Sequence, residues 1–470
     1  MHTLYAHNFT RTFRIERLTP EPVWQAMLEN SAEQVRVYFD QVKAVSPRPL
    51  KDLVENRVPY SDQGWCKAEV EWSSTRDFTA KNQRIDAAAA EEECSGLKGR
   101  VPTTPELFEA QMSKAKFTHR ADAGSVQFLQ AKIYHQKVSA CQEAVFEHLP
   151  TAEVAKLAAA LPHYKQLRTL CLWNFDCGVD EAEALGEAIG YHPTLQELEM
   201  QALVEAHLVA ALSEALKRTT TITSVDLAGN HICDEGEKAR VGVWIAWWTF
   251  CLLVAFVCQA LAEALQHNNT LTTLDLQDNC IGAEGGKAHA FAKALQHNKT
   301  VTTLNLNGNK IGDEGAQAFA EALQHNNTLA AVNFNYNDIC ASDLASGLET
   351  ETAVLSEHPR IKALAQALRH DNTLTTLDLQ WSSIGEEGAQ ALAEALEHNN
   401  TVTTLNLKSN DIGAEGGKAL AEALQHNNTL TTLNLAASDV GAEGGKARVS
   451  VWGAWWTFLP PCWLCVPGFC

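Results

Sequence analysis

The chain has 470 residues, a formal net charge of −20 and 46% hydrophobic residues. This composition excludes collagen-like and disordered chains, and the length suffices for one large repeat array or a few globular domains. The negative charge argues against a nucleic-acid partner, whose phosphates need Lys and Arg, and favours a basic protein partner.

Residues 1–138 form a region without repeats, in which 19 Lys and Arg nearly balance 18 Asp and Glu. No apolar run near Met1 precedes a small-residue cleavage site. No secretory signal is therefore visible, and a cytoplasmic location is expected. Two stretches of this part, residues 85–94 and 128–146, are predicted as helices, so the region is expected to be mainly α-helical.

One segment of the N-terminal region is distinctive, and it reads Tyr60-Ser-Asp-Gln-Gly-Trp-Cys-Lys-Ala-Glu69. It is similar to the Y-x-x-S-x-W-C-x-x-E-L element of Toll/interleukin-receptor domains, in some of which the glutamate acts in cleaving NAD. The resemblance implies an NAD-hydrolysing enzyme with Glu69 as its catalytic carboxylate. The other interpretation is a cluster of Trp and Cys buried on a helix.

From residue 139 to 447 the chain repeats one unit, and the charge turns acidic, with 18 Lys and Arg against 39 Asp and Glu from residue 139 onward. Intervals between nine units are mostly 27 to 30 residues, with two longer intervals of 49 and 45 residues. Self-similarity at one period indicates a solenoid. The first apolar residues of the units are Leu167, Leu195, Ile222, Leu271, Val301, Leu329, Leu374, Val402 and Leu430.

Each unit contains a strand half and a helix half. Leu274 and Leu276 alternate as on a strand, after which Asn279 turns the chain inward. Residues 315–325 have the apolar spacing of a helix of about three turns. One strand and one helix cannot bury their apolar faces alone, so neighbouring units are expected to stack.

The persistent L-x-x-L-x-L-x-x-N-x-I pattern resembles the leucine-rich repeats of the ribonuclease-inhibitor type, which also occur in the sensor region of NACHT-type receptors. The resemblance implies an α/β fold, namely a curved horseshoe solenoid with a parallel sheet on its concave face and helices on its convex face. It also implies a scaffold or sensor that binds a partner protein. No cofactor or metal site is predicted.

Side chains between the buried leucines point to the concave face of the predicted sheet. This face is polar and acidic, so a basic partner is expected to be steered towards it. Large aromatic side chains in a polar field are common anchors of protein interfaces, although they also fill gaps beside irregular units. The candidate binding residues are Trp173, Glu197, Glu199, Asp226, Asp275, Tyr336, Asp378 and Trp381.

Two recurring motifs receive a structural interpretation. The loop His-Asn-Asn-Thr, which reads His-Asn-Lys-Thr in one copy, creates sequons at five positions, and its Asn is predicted to end each helix in the left-handed conformation. Gly282-Ala-Glu-Gly-Gly-Lys287 faintly resembles a phosphate-binding loop, but its glycine spacing is wrong and it recurs wherever a helix begins. Both motifs are interpreted as punctuation of the repeat.

An apolar insertion, residues 240–260, accounts for the interval of 49 residues. Residues 241–258 carry no charge, so one transmembrane segment is an alternative. The tail, residues 448–470, repeats the opening of the insertion, which suggests that residues 241–259 and 449–470 are translated introns. A third interpretation is an apolar hairpin. An irregular insertion at about residues 341–360 accounts for the interval of 45 residues.

Overall fold

The computed structural model describes two stretches before the repeats and most of the repeats themselves. The described ranges are 100–115, 122–201, 206–230, 258–279, 281–282, 287–337, 339 and 359–440, with residues 12–14, 25–26, 29, 34–39, 44–49, 68 and 82–84 near the N-terminus. The chain divides into two compact units, Met1–Lys165 and Gln166–Cys470.

The first unit contains two short strand pairs and several helices. Strand β1 (Thr12–Arg14) pairs in parallel with β4 (Asn82–Arg84), and β2 (Gln34–Phe39) pairs antiparallel with β3 (Ala44–Pro49). Apolar side chains of two helices then pack into a small core that includes Phe108, Met112, Val126 and Ile133. The helices of this unit are α1 (Pro105–Met112), α2 (Asp122–Val138), α3 (Thr151–Ala160) and a 3-10 turn (Leu161–His163).

The helix predicted over residues 128–146 is correct only in its first part. Helix α2 ends at Val138, and Glu143–Glu147 form strand β5. In β5 the buried residues Ala144 and Phe146 alternate with more exposed ones, which is the two-residue period of a strand. The helix predicted over residues 85–94 lies outside the described ranges.

The repeats form the sheet that the pattern predicts. Strands β5 to β14 lie in chain order in one open sheet of ten parallel strands. Nine of them are the strand halves of the nine predicted units, and β5 is an additional strand that the sequence pattern did not reveal. These nine are β6 (Thr169–Trp173), β7 (Glu197–Gln201), β8 (Ser224–Asp226), β9 (Thr273–Asp275), β10 (Thr303–Asn305), β11 (Ala331–Asn333), β12 (Thr376–Asp378), β13 (Thr404–Asn406) and β14 (Thr432–Asn434).

Both long intervals leave the sheet uninterrupted. Ser224 on β8 is in register with Thr273 on β9, and Ala331 on β11 is in register with Thr376 on β12. No helix in the described ranges is long and apolar enough to cross a membrane, and residues 241–257 lie outside those ranges.

Helices connect the strands and pack against the helices of neighbouring repeats. Phe319 lies on one of these helices, and Phe334 lies just after β11. Their rings pack edge to face, with 5.3 Å between the ring centroids. Leu274 is only 1% exposed, which confirms that the leucines of the pattern form the core. The helices are α4 (Val179–Gly190), α5 (Ala206–Arg218), α6 (Lys287–His297), α7 (Gly312–Leu323), α8 (Pro359–His370), α9 (Gly385–Leu396) and α10 (Gly413–His426), and residues 258–267 are also helical.

The first Asn of each His-Asn-Asn-Thr loop is buried and bridges two repeats. In the last repeat, the Asn427 amide donates to the Leu396 carbonyl at 2.7 Å, and its oxygen accepts the Leu430 N–H at 2.8 Å. The predicted left-handed conformation is wrong, because Asn427 has φ −81° and ψ 124°. Asn stabilises this loop through the hydrogen bonds of its side chain, and not through a left-handed backbone. A buried amide of this kind also leaves no room for a glycan.

Candidate functional site: the open face of the sheet

The candidate site is the side of the sheet that carries the partly exposed side chains flanking each buried central residue. We call this side the open face. In β9, for example, Thr273 and Asp275 flank buried Leu274. Strand register aligns the residues that follow the central residue into one row, which we call the middle row. Its members from β6 to β14 are Cys171, Glu199, Asp226, Asp275, Asn305, Asn333, Asp378, Asn406 and Asn434.

Most middle-row side chains close a turn at the end of their strand. Asp226 accepts the backbone N–H of Ala228 at 2.8 Å, and Asp275 accepts that of Gln277 at 2.9 Å. Asn305 makes the same bond to the N–H of Asn307 at 3.1 Å. Asp and Asn therefore serve the turn equally well, and the turn does not require the negative charge of Asp.

Three carboxylates, those of Glu199, Asp226 and Asp275, are consecutive in the middle row. Burial raises the pKa of Asp226 against the lowering effect of the Ala228 N–H, and the charges of Asp275 and Glu199 raise it further. In the described part of the chain, no Lys, Arg or His forms an ion pair within 4.0 Å with any of the three. Like charges on adjacent strands destabilise a sheet, so these three carboxylates lower the stability of the folded protein.

Neutral hydrogen-bond donors surround the carboxylates of this patch. The indole N–H of Trp173 donates to Glu199 at 3.0 Å, and the amide of Gln201 donates to the same oxygen at 2.7 Å. The amide of Asn305 donates to Asp275 at 2.9 Å. These bonds orient the carboxylates without neutralising them. We call Glu197, Glu199, Asp226 and Asp275 the acidic patch.

Tyr336 and Trp381 lie further along the sheet, just after β11 and β12. Their rings stack at 5.7 Å between centroids with 15° between planes, and the residues remain 51% and 47% exposed. Their backbone N–H groups donate to the carbonyls of Gln380 and Lys408, both at 3.1 Å, which continues the ladder beyond the strands. We call these two residues the aromatic pair.

The structure therefore places the predicted site residues in two groups. Trp173 joins the acidic patch on β6 to β9, and Asp378 lies on the strand that precedes Trp381. Asp275 and Asp378 are three strands apart, which corresponds to about 14 Å. Prediction from the sequence missed Gln201, a donor that holds Glu199, and did not assign Asn305 its role as the donor to Asp275. Their place in the strand register is the signal that would have identified them.

The other sequence motifs lie elsewhere or have a structural explanation. A Cβ on Gly416 would come within 2.9 Å of the Ala389 Cβ, so this glycine of the phosphate-loop-like motif permits close packing of α9 and α10. Among the described residues, no group of three or more His, Cys, Asp and Glu is arranged to hold a metal ion. Glu69 lies outside the described residues, and NAD hydrolysis remains a prediction.

Comparison with known proteins identifies the repeats. A family model described as the TMOD/LMOD Leucine-rich domain matches residues 354–442, and one described as Leucine Rich repeat matches residues 219–239, 267–288 and 297–320. No curated protein matches the chain.

Several solved structures are similar in part. Leiomodin-1 actin-binding site 2 is 28% identical over 26% of this chain and 62% of that chain, with a TM-score of 0.21. TLR13 in its complex with ssRNA13 is 17% identical over 64% of this chain and 33% of that chain, with a TM-score of 0.36. The leucine-rich repeat-containing protein LegL7 from Legionella pneumophila is 14% identical over 67% of this chain and 92% of that chain, with a TM-score of 0.38.

The chain thus spans less than two thirds of the leiomodin-1 and TLR13 chains that it matches. The family matches agree with the sequence pattern and with the open parallel sheet built from it. The chain is a leucine-rich-repeat protein.

Proposed function

We propose that this protein is a binding scaffold whose open face holds a basic segment of a partner protein. The acidic patch supplies the attraction, and the aromatic pair supplies apolar contact on the same face. The unit of about 28 residues with one strand and one helix supports assignment of the repeats to the ribonuclease-inhibitor type.

The observation that carries this proposal is the run of three charges on Glu199, Asp226 and Asp275. Asn in the middle row makes the same turn in neighbouring repeats, so Asp is not required for folding. The pKa of Asp226 is raised, which means that its charge is disfavoured in the folded protein. Charges that cost stability and have no cationic partner within the described part are best explained by a cation that comes from outside the chain.

Selection from a random peptide library, with the full purified chain as bait, tests the proposal. We expect the selected peptides to be rich in Lys and Arg and their binding to weaken with salt, because exposed charges are screened. A patch variant removes four negative charges by Glu197→Gln, Glu199→Gln, Asp226→Asn and Asp275→Asn. It is expected to lose most of the binding.

A helix-side variant provides the matched control. It removes four exposed negative charges from α9 and α10 by Glu386→Gln, Glu394→Gln, Glu415→Gln and Glu422→Gln. Its binding is expected to stay close to that of the unmodified chain. Peptides without a basic bias, or equal loss in the two variants, would show that the acidic patch is not the binding site.

Actin is a second candidate partner, favoured by the match of the TMOD/LMOD leucine-rich domain to residues 354–442. The leiomodin-1 structure is described as an actin-binding site, and the matched range of this chain includes Asp378 and Trp381. Co-sedimentation with filamentous actin tests this candidate. Recovery of the chain in the pellet, and its loss in Trp381→Ala, would support actin.

A further inference from the structure

The aromatic pair occupies a backbone position that large side chains normally avoid. The equivalent residue of other repeats has positive φ and is small or short, as in Gly308 (φ 69°), Asp278 (φ 52°) and Ala437 (φ 55°). Tyr336 and Trp381 both have φ 54°. A left-handed backbone is unfavourable for a bulky residue, and strain of this kind concentrates at functional sites.

Burial does not compensate for this strain. About half of each aromatic residue is exposed, whereas the neighbouring core residues Phe334 and Leu379 are buried. The two rings stack on one another, and both backbone N–H groups are fixed by hydrogen bonds to the next repeat. The sheet therefore presents a flat and rigid aromatic surface to solvent.

The polar groups around this surface favour a cation with a planar head. Asp378 lies three residues before Trp381 on the open face, and its Oδ1 already accepts the Gln380 N–H at 3.1 Å. A carboxylate oxygen accepts more than one hydrogen bond, so Asp378 retains capacity for a ligand. Lys408 lies two residues after β13. A planar, delocalised guanidinium stacks flat on aromatic faces, which a compact ammonium cannot do.

We propose that the aromatic pair and Asp378 form a receptor for an arginine side chain of the basic partner. The guanidinium stacks on the exposed aromatic surface and donates hydrogen bonds to the Asp378 carboxylate. This inference rests on the proposed function, because the acidic patch brings the basic segment to the open face. It adds a preference for arginine over lysine, which a field of negative charges alone does not produce.

Two peptides of equal length and charge test the receptor, one with only Arg and one with only Lys as its cationic residues. Their affinities for the full chain are measured by fluorescence anisotropy. We expect the Arg peptide to bind about two- to fivefold more tightly, the size of an exposed cation–π contact. The double variant Tyr336→Asn with Trp381→Asn is expected to abolish this preference, because the Arg peptide loses more affinity than the Lys peptide.

Asn tolerates the left-handed backbone, so the double variant is expected to have an unchanged or higher melting temperature. Tyr191→Asn is the matched control, since Tyr191 is an exposed aromatic residue after α4 and outside the open face. It is expected to retain the preference for Arg. Asp378→Asn is expected to reduce that preference, because the guanidinium loses its carboxylate.

The possible outcomes separate this inference from the proposed function. Equal affinity for the two peptides, both lost in the patch variant, would overturn the arginine receptor and leave the scaffold standing. Absence of binding by both peptides would overturn the scaffold and the receptor together. A lower melting temperature of the double variant with an unchanged preference for Arg would show that the pair only fills space between irregular repeats.

Discussion

The middle row of the open face shows how one residue position serves both folding and function. Asp and Asn both occur along it, and both close the same turn through a side-chain oxygen. The choice between them changes only the charge of the face. The charge of Asp226 is disfavoured in the folded protein, because burial raises its pKa and the charges of Asp275 and Glu199 raise it further.

Asp226→Asn is predicted to stabilise the protein at pH 7. The raised pKa means that the folded state holds the Asp226 proton more tightly than the unfolded state, so the charge lowers stability above the unfolded pKa. Asn imitates the protonated side chain and keeps the turn. Removal of the buried charge, and of its like-charge pairs across strands, is expected to raise the free energy of unfolding by roughly 0.2–1 kcal/mol.

Denaturant unfolding at several pH values measures this effect. The stabilisation is expected to shrink as the pH falls through the raised pKa, because the unmodified Asp226 then becomes protonated as well. Asp378→Asn is the matched control, since the neighbours of Asp378 in the middle row are Asn333 and Asn406. A gain of the same size in the control would mean that charge repulsion in the acidic patch is not the cause.

At the scale of the element, buried Asn side chains connect each repeat to the next. The Asn309 amide donates to the Leu276 and Leu306 carbonyls at 2.7 and 3.0 Å. Its oxygen accepts the N–H groups of Asn279 and Ile281 at 3.1 and 3.2 Å. The amide also donates to the Asn307 carbonyl at 3.2 Å, so one side chain binds five backbone groups in two repeats.

Asn309→Ala is predicted to lower the free energy of unfolding by about 2–3 kcal/mol, since it leaves buried backbone groups without partners. Chemical denaturation of the full chain provides the measurement. Asn307→Ala is the control, because the Asn307 oxygen is buried and has no hydrogen-bond partner among the described residues. If the two variants are equally stable, the Asn309 bonds contribute little to cohesion between repeats.

The apolar insertion is a second feature at this scale. Deletion of residues 241–259 leaves an interval of 30 residues, equal to that of the next repeat, and places Ala239 at the helical position of Cys258. The register between β8 and β9 is already continuous. We predict that the shortened chain folds and that its free energy of unfolding changes by less than about 2 kcal/mol, the scale of one small core substitution.

Circular dichroism and thermal unfolding test the deletion. Loss of cooperative unfolding would show that the insertion belongs to the fold. Deletion of residues 262–280, which has the same length but removes β9, is the control and is expected to abolish folding.

At the scale of the whole molecule, the periodic pattern was sufficient to predict the sheet of repeats. Leucine spacing identified nine strands, and it placed Leu274 and its equivalents in the core. It missed β5, whose unit lacks the full pattern, and it misassigned residues 139–146 to a helix because no repeat marked them. A single strand in an incomplete unit carries too few apolar residues to be distinguished by period.

The site was predictable only as a set of residues on one face. Alternation along each strand placed Glu199, Asp226 and Asp275 together, since strand register follows from the repeat. Stacking of Tyr336 on Trp381 was not predictable, because it depends on a left-handed backbone and on the pairing of strands across an irregular interval of 45 residues. The spacing of residues along the sequence reveals neither the backbone conformation nor the pairing of these two strands.

Zero-length cross-linking with a carbodiimide tests the central claim most directly, because it joins a lysine of a bound basic peptide to the carboxylate that it contacts. Mass spectrometry of the full chain then locates the bonds. We predict cross-links at Glu197, Glu199, Asp226 and Asp275. Cross-links confined to helix-side carboxylates such as Glu394 and Glu415 would contradict the assignment of the open face as the binding surface.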